Sequence, residues 1–372
     1  MITEKTIRNF LPTGIISLVL STVLIFLFLA DVSEFSMPIM MVRTFYLYTI
    51  LLLVYTIPVI FIIRHFDRKL HPAESGLWNY VRIFLGGLWL LDGILQIQPE
   101  MSFGFAPFVL IPTLQALPAG IQPFIHPIIM AWTTSGSLMD AVSGVIQIFL
   151  GLSFLTLKSR KYVSVIAAIS FLWAISIWIM GEDFGAPGIG MSILTGFPGA
   201  ALLYAISSLV LVFNFRQITR VRILKYTMAL VFIVSAIIQA IPANGYWTNG
   251  TIASVTGSYT IIYEPRILSL FLYDVAVFLS ANIVPWNLIL VFVMGSTGAI
   301  WLFRPGLASK VTIVVSAVIW IIGQDFGILG GYGTDPNTAF VLLLMSLAMY
   351  LHYRKYPEKM LKVHYHEDPA AL

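Results

Sequence analysis

Apolar residues fill this chain in blocks of roughly twenty, and the breaks between blocks are short and polar or punctuated by Pro and Gly. A helix of roughly 20 residues rises far enough to cross ~30 Å of hydrocarbon, so each block predicts a membrane span. The blocks fall near 12–30, 44–63, 80–98, 138–157, 162–180, 197–215, 224–242, 284–303, 311–323 with its flanks, and 337–352. The expected fold is all-α, a polytopic membrane protein of about ten transmembrane helices. Lys5 and Arg8 precede the first block as in a signal peptide. Its apolar core is too long for one and no small-x-small site ends it, so it reads as a retained helix.

The pattern also occurs twice. Trp178-Ile179-Met180-Gly181-Glu182-Asp183-Phe184-Gly185 recurs as Trp320-Ile321-Ile322-Gly323-Gln324-Asp325-Phe326-Gly327, and Arg82 to Pro99 lies over Lys225 to Pro242 without gaps. In that second pair Trp89 meets Phe232, Gln96 meets Gln239, and the distance onward to Trp178 or Trp320 is preserved to within one residue. Similar apolar helices would not keep that spacing by chance. The expected organisation is an N-terminal transmembrane hairpin (1–70), two tandem four-helix units (78–216 and 222–355) and a polar tail (356–372). An even number of spans per unit makes the repeat parallel. Residues 101–136 and 244–283 are apolar but broken by Pro and Gly, which predicts re-entrant or interfacial helices. Pro198 and Pro336, the latter behind Asp335, are placed to open the last helix of each unit.

Composition supports the membrane reading. The chain is 59% hydrophobic and 10% charged, where soluble domains are roughly half apolar and a quarter charged. All of the 21 Lys and Arg residues except Arg43 and Arg266 fall in the termini and alternate loops of one side. The positive-inside rule makes that side, with both termini, cytoplasmic in a cell membrane. Asp31, Glu34, Glu100, Glu182, Asp183, Glu264, Asp274, Asp325 and Asp335 fall on the other side. The positive balance therefore reports topology, and no nucleic-acid partner is expected. Asn249-Gly250-Thr251 fits a glycosylation sequon in an outer loop.

The absence of cysteine from the sequence excludes disulfides, thiolate metal sites and Cys-based redox chemistry. Of six histidines, His65, His71, His352, His364 and His366 map to inner loops and His126 to an outer one, so a bis-histidine haem within the membrane is not expected. No metal site is expected either. The polar residues that stand out are Asp92, inside a span, and Gln96 one turn further along. An ionisable residue at that depth costs a few kcal/mol and must face the protein interior. Trp89 precedes it, Gln98 and Glu100 follow, Asp140 and Gln147 enter from the next helix, and Glu182 with Asp183 end the third. Two readings stand side by side: these groups tie helices together, or they line a functional pocket. Asp92 corresponds to Ser235 and Glu182 to Gln324, so the carboxylates peculiar to the first copy mark any chemistry. The paired Asp183 and Asp325 read as closing the loop after the helix, and Trp178 and Trp320 as interface anchors or core aromatics. Gly86-Gly87, Gly144 and Gly151 read as close-packing positions.

Arg82-x-x-Leu85-Gly86-x-x-Trp89-Leu90-x-x-Gly93-x-x-Gln96 resembles the opening helix of the DoxX/DoxD-like membrane proteins, which are four-helix units with a short basic middle loop. The second copy carries Ala229 and Ala236 in place of Gly86 and Gly93, and the leader hairpin has no counterpart in the family. The resemblance implies an integral-membrane subunit of a quinone-linked respiratory oxidoreductase, of the terminal quinol oxidase or thiosulfate:quinone oxidoreductase type. Its redox centres would lie on partner membrane or extracytoplasmic subunits, and quinone is the one cofactor expected at this chain. On that reading Asp92 accepts quinol protons, Gln96 bonds a carbonyl oxygen and Trp89 stacks on the head group, with Glu182 and Asp140 as further quinone- or proton-site candidates. A transporter or channel, or an anchor for an extracytoplasmic partner, are the other readings.

Overall fold

A computed structural model describes residues 39–70, 76–185, 190–248, 266–324, 326–327 and 333–356. The first expected span, His71, the Asn249 tripeptide, Glu264, Asp325 and the tail with His364 and His366 lie outside the described residues. The described residues are helical and contain no strand. Six helices are long and apolar enough to cross a bilayer, and a seventh if one sharply bent pair counts as a single span. The chain is thus a multi-helix membrane protein, with lipid as the natural partner of its exposed Leu, Ile, Val and Phe side chains.

Helix α1 (Ile39–Asp67) is apolar around most of its surface and lies along α4 (Gln122–Thr156). Between them in sequence come α2 (Leu77–Gln96) and a helical arm, α3 (Met101–Ala116), bent by 82° from α2 at a break containing Pro99. Pro107 and Pro112 lack the amide hydrogens a regular helix needs, and α3 carries a π turn over Ala106–Leu110 between its two α segments. Helix α4 is kinked at Ser135 (φ −136°, ψ 37°), so the broken connection expected over 101–136 consists of α3 and the part of α4 up to its kink.

Helix α5 (Arg160–Met180) follows a short basic loop, and α6 (Ala200–Val212) has only 13 residues. That is roughly 20 Å of helix, short of a full crossing. The rest of the chain gives α7 (Gln217–Ala240), α8 (Arg266–Ala281), α9 (Ile283–Phe303), α10 (Pro305–Gly323, ending in a π turn) and α11 (Asn337–Lys355). The tightest pairings are α2 with α4 and α5 with α6 in the first half, and α7 with α9 and α10 with α11 in the second. Helix α11 also packs onto α2 and α6, so the two halves share one apolar core.

Glycine makes the α2–α4 seam. A Cβ on Gly93 would stand 2.7 Å from the Ile148 backbone nitrogen, and one on Gly151 2.6 Å from that of Leu90. Only glycine allows the backbones so close. Gly87 meets nothing within 4 Å and is not part of the seam. At the basic end, Arg82 donates to the carbonyls of Phe154 and Leu157, satisfying the end of α4. Asp67 accepts the backbone N–H groups of Lys158 (2.9 Å) and Ser159 (2.8 Å), which fastens α1 to the start of α5.

Candidate functional site

At the other end of the bundle, α2 presents Trp89, Asp92 and Gln96 along one side, since positions three and seven apart stack on a helix. All three are buried, at 0%, 2% and 2% exposure. The Tyr204 hydroxyl of α6 donates to Asp92 Oδ1 at 3.2 Å. The Trp89 ring meets Tyr204 edge-on with centroids 4.8 Å apart, and its Nε1 donates to Ser170 (2.7 Å), itself bonded to Ser208 (2.8 Å). Gln96 Nε2 and Trp132 Nε1 both donate to Asp140 Oδ1, at 3.0 and 2.9 Å. Gln96 therefore commits one of its two amide N–H groups to Asp140.

Glu182 follows α5 and receives the Ala201 backbone N–H on its carboxylate (3.1 and 3.2 Å), one of the amides left open at the start of α6. Gln324 repeats the contact in the second half, accepting the Ala339 N–H at 2.9 Å. The tie from each loop to the next helix is thus Glu182 and Gln324, whereas Asp183 Oδ1 has no partner. Asp183 and Phe184 adopt positive φ (44° and 54°), and Phe326 does the same (59°). Trp178 and Trp320 donate to the carbonyls of Pro198 (2.9 Å) and Pro336 (2.8 Å), so both indoles brace these loops. Pro336 occupies the N-cap of α11 and Pro198 stands two residues ahead of α6, because Gly199 (φ 101°) intervenes at its N-cap. A Cβ on Gly199 would collide with Glu182 Oε2 and the Trp178 ring.

These groups surround a cavity with about 100 Å³ open to the centre of a water molecule. Trp89, Asp92, Gln96 and Glu182 all line it, while Asp140 sits behind Gln96 and Trp132. The wall is completed by the aromatic rings of Trp132, Trp173 and Tyr204, by Gln147 and, from the second half, by Asp335. Gln147, at 4% exposure, has no partner on Oε1, and Trp173 has none on Nε1. Among the described residues the wall offers one free acceptor and one free donor beside three carboxyls, with no Lys, Arg or His lining it. Burial, and then the Asp335 charge, push Glu182 up from 4.5 to about 8, against the pull of the Ala200 and Ala201 N–H groups. Asp335 is raised by burial, against its bonds from Asn337 and Thr334.

Asp335 was legible only as a helix cap, a role it fills by accepting the Asn337 N–H at 2.6 Å. Its second position, on the first half's cavity, depends on a loop crossing from one half to the other, anchored where Gln98 Nε2 meets the Gly333 carbonyl (3.3 Å). Tyr204 did carry a signal: counting from Pro198 and Pro336, it faces Leu342, an unmatched polar residue in an apolar helix. The reverse crossing closes the second half. Ser192 donates to Gln239 Oε1 (2.5 Å), Gln239 Nε2 to Asn287 (2.8 Å) and Gln324 Nε2 to the Ile193 carbonyl (2.7 Å). Among the described residues no group of three or more His, Asp or Glu is arranged to hold a metal ion. No family model, curated protein or solved structure matches the chain.

Proposed function

We propose that this chain is an integral-membrane, quinone-linked subunit of a respiratory oxidoreductase complex, with the redox centres on partner subunits. Its architecture on this reading is DoxX/DoxD-like: ten spans, arranged as a leader hairpin and two tandem parallel four-helix units, with both termini cytoplasmic. The recurring helix pairings, the paired Trp-to-Pro bonds and the Glu182 and Gln324 caps support the duplication. The charge distribution along the sequence supports the topology.

One observation carries the functional reading: a ring-walled cavity holds an unpaired amide acceptor, an unpaired indole donor and three carboxyls. Its volume is well below the roughly 300–1,000 Å³ of drug-sized sites, so it suits a single ring-sized head group. A quinone would bring two-electron redox chemistry to such a site. Trp173 Nε1 is placed to donate to a carbonyl oxygen, and Gln147 Oε1 to accept from a hydroxyl. Trp89 and Tyr204 give flat apolar contact, and the Tyr204 hydroxyl holds Asp92 facing the cavity as a proton acceptor. On this reading Trp173 takes the carbonyl bond expected of Gln96, and Gln96 with Asp140 supports the wall.

The test is turnover of the intact complex with a short-chain quinol. Asp92→Asn and Gln147→Leu are each expected to lower it at least tenfold without loss of assembly. Unchanged turnover in both would refute the assignment, as would native isolation of the chain without partner subunits or haem absorbance. The second reading is cation transport, favoured by three carboxyls lining the cavity with no basic residue beside them among the described residues. Flux into proteoliposomes that disappears in Asp92→Asn would establish it instead.

A further inference from the structure

Two of the three cavity carboxyls come from different halves of the chain. Glu182 ends the third helix of the first half and accepts the Ala201 N–H, and Asp335 precedes the last helix of the second half and accepts the Asn337 N–H. Each carboxyl caps the first turn of a different helix, α6 or α11, and both line the same cavity. Like charges in one low-dielectric space without a counter-ion cannot both ionise cheaply, so a site of this kind retains a proton. An independent feature marks the same space as a ligand site: the buried Gln147 Oε1 on the cavity wall, without a partner.

We propose that Glu182 and Asp335 form one proton-holding pair, a carboxyl from each half, that takes the proton of a bound ligand's hydroxyl and passes it to the adjoining membrane face. In that step Glu182 gives up its proton to the membrane face, the ligand O–H bond breaks with its electron pair staying on the ligand oxygen, and a new O–H bond forms on the freed Glu182 oxygen. Nothing is oxidised. The identity of the hydroxyl as that of a quinol rests on the function proposed above, and the pair itself does not.

The second half shows what such a position looks like without the charge. Gln324 makes the same helix-capping contact with a neutral amide, and the nearby Gln239 amide is satisfied by Ser192 and Asn287. The charge of Glu182 is therefore not what the cap requires. Leu194 also packs against Gly323, the counterpart of Gly181, where a Cβ would meet it at 2.7 Å, whereas a Cβ on Gly181 would meet only Ile177 of its own helix. Only the first half combines an acid at the cap with an open wall and a second acid supplied from across the molecule. Among the described residues the other titratable groups around the pair are Asp92 on α2, Tyr204 on α6, Asp140 on α4 behind Gln96, and Asp183 next in sequence to Glu182.

The experiment is an infrared titration of the carboxyl C=O band on the full chain in lipid nanodiscs, for the wild type, Glu182→Gln, Asp335→Asn and Asp183→Asn. The wild type should lose a protonated-carboxyl band with a midpoint at about 8. Glu182→Gln should abolish that component, and Asp335→Asn should lower its midpoint by about one pH unit by removing the facing charge. Asp183→Asn should change neither. Glu182→Gln installs the residue that the second half already carries, so its fold is expected to hold, and an unchanged melting temperature at pH 5 verifies this. A midpoint that stays put in Asp335→Asn, or a band that survives Glu182→Gln, overturns the pair. Quenching of tryptophan fluorescence by a short-chain quinol separates the two proposals. Titration without quenching supports the pair and refutes the quinone reading; quenching without titration does the reverse.

Discussion

Replacing Gly151 by Ala tests the seam that sets the position of Asp92. The added methyl would lie 2.6 Å from Leu90 N, 2.7 Å from its Cβ and 2.8 Å from its Cα, where ordinary contact begins at 3.4 Å. Two of those atoms are helix backbone, so no rotamer change relieves the clash and α2 must move away from α4. Overpacking of this kind costs about 1–3 kcal/mol, and the better helix propensity of Ala returns only about 0.5–1 kcal/mol. The net loss is about 1–2 kcal/mol. Gly87→Ala is the control, because nothing lies within 4 Å of its Cβ position and only the propensity gain applies. The two variants should therefore differ by about 2 kcal/mol, read as a melting temperature several degrees lower for Gly151→Ala when the full chain is heated in nanodiscs and followed by tryptophan fluorescence. Leu90 lies two residues from Asp92, so the displaced helix also moves that carboxyl from the Tyr204 hydroxyl. Equal melting temperatures for the two variants, or a Gly151→Ala protein as stable as the wild type, would refute the close packing of α2 on α4.

Further outcomes follow from single contacts. Asp140→Ala strands the Gln96 and Trp132 donors and should cost about 1–3 kcal/mol per group, and Asp140→Asn should recover much of the loss by keeping an oxygen; equal unfolding midpoints for the two would count against the network. Glu182 is raised in the folded state from 4.5 to about 8, so its contribution to stability is complete below about pH 4.5 and is lost as pH rises through 8. Glu182→Gln should therefore match the wild type near pH 4 and exceed it at pH 9, by on the order of 2 kcal/mol once partial exposure is allowed for. An offset that does not change with pH would dispose of that reasoning. Gly199→Ala, at φ 101° and against Glu182 Oε2, should destabilise the chain and displace the carboxylate; a variant with native stability and an unaltered infrared titration would contradict the geometry.

Apolar run length located most helices well. The blocks at 162–180 and 284–303 became Arg160–Met180 and Ile283–Phe303 with little change. The block at 197–215 shrank to Ala200–Val212, because Gly199 at the N-cap delays the helix and hydrophobicity does not register backbone conformation. The block at 138–157 grew into Gln122–Thr156, since a helix passes through Pro127 and a kink at Ser135 that a local reading treats as a stop. In the site, Trp89, Asp92 and Gln96 could be grouped because helical spacing puts them on one face, and Glu182 because it has no acidic counterpart in the second copy. Asp335 could not be grouped with them. A local reason, capping α11, accounted for it fully, and its place in the cavity follows from loops that cross between halves, which no spacing rule contains.

Under the proposed duplication the two halves act as each other's control, and the differences between them all point one way. At an offset of 143, Asp92 faces Ser235 and Gly144 faces Asn287; at 142, Glu182 faces Gln324. Asn287 takes the amide N–H of Gln239, and Ser192, from the first half, donates to its oxygen, so the Gln239 amide is satisfied at both ends. With glycine at 144, Gln96 has no such partner on that turn and reaches Asp140 instead, one turn nearer the start of α4. The same helix pairing thus gives a closed polar network in one half. In the other it gives a cavity whose Gln147, Trp173 and carboxyls are left facing one another. A buried amide oxygen without a partner costs about 1–3 kcal/mol, and Gln239 shows that a buried amide at this helix pairing can be satisfied within the chain. The first half carries that cost, which is the expected arrangement where an outside molecule supplies the missing bond.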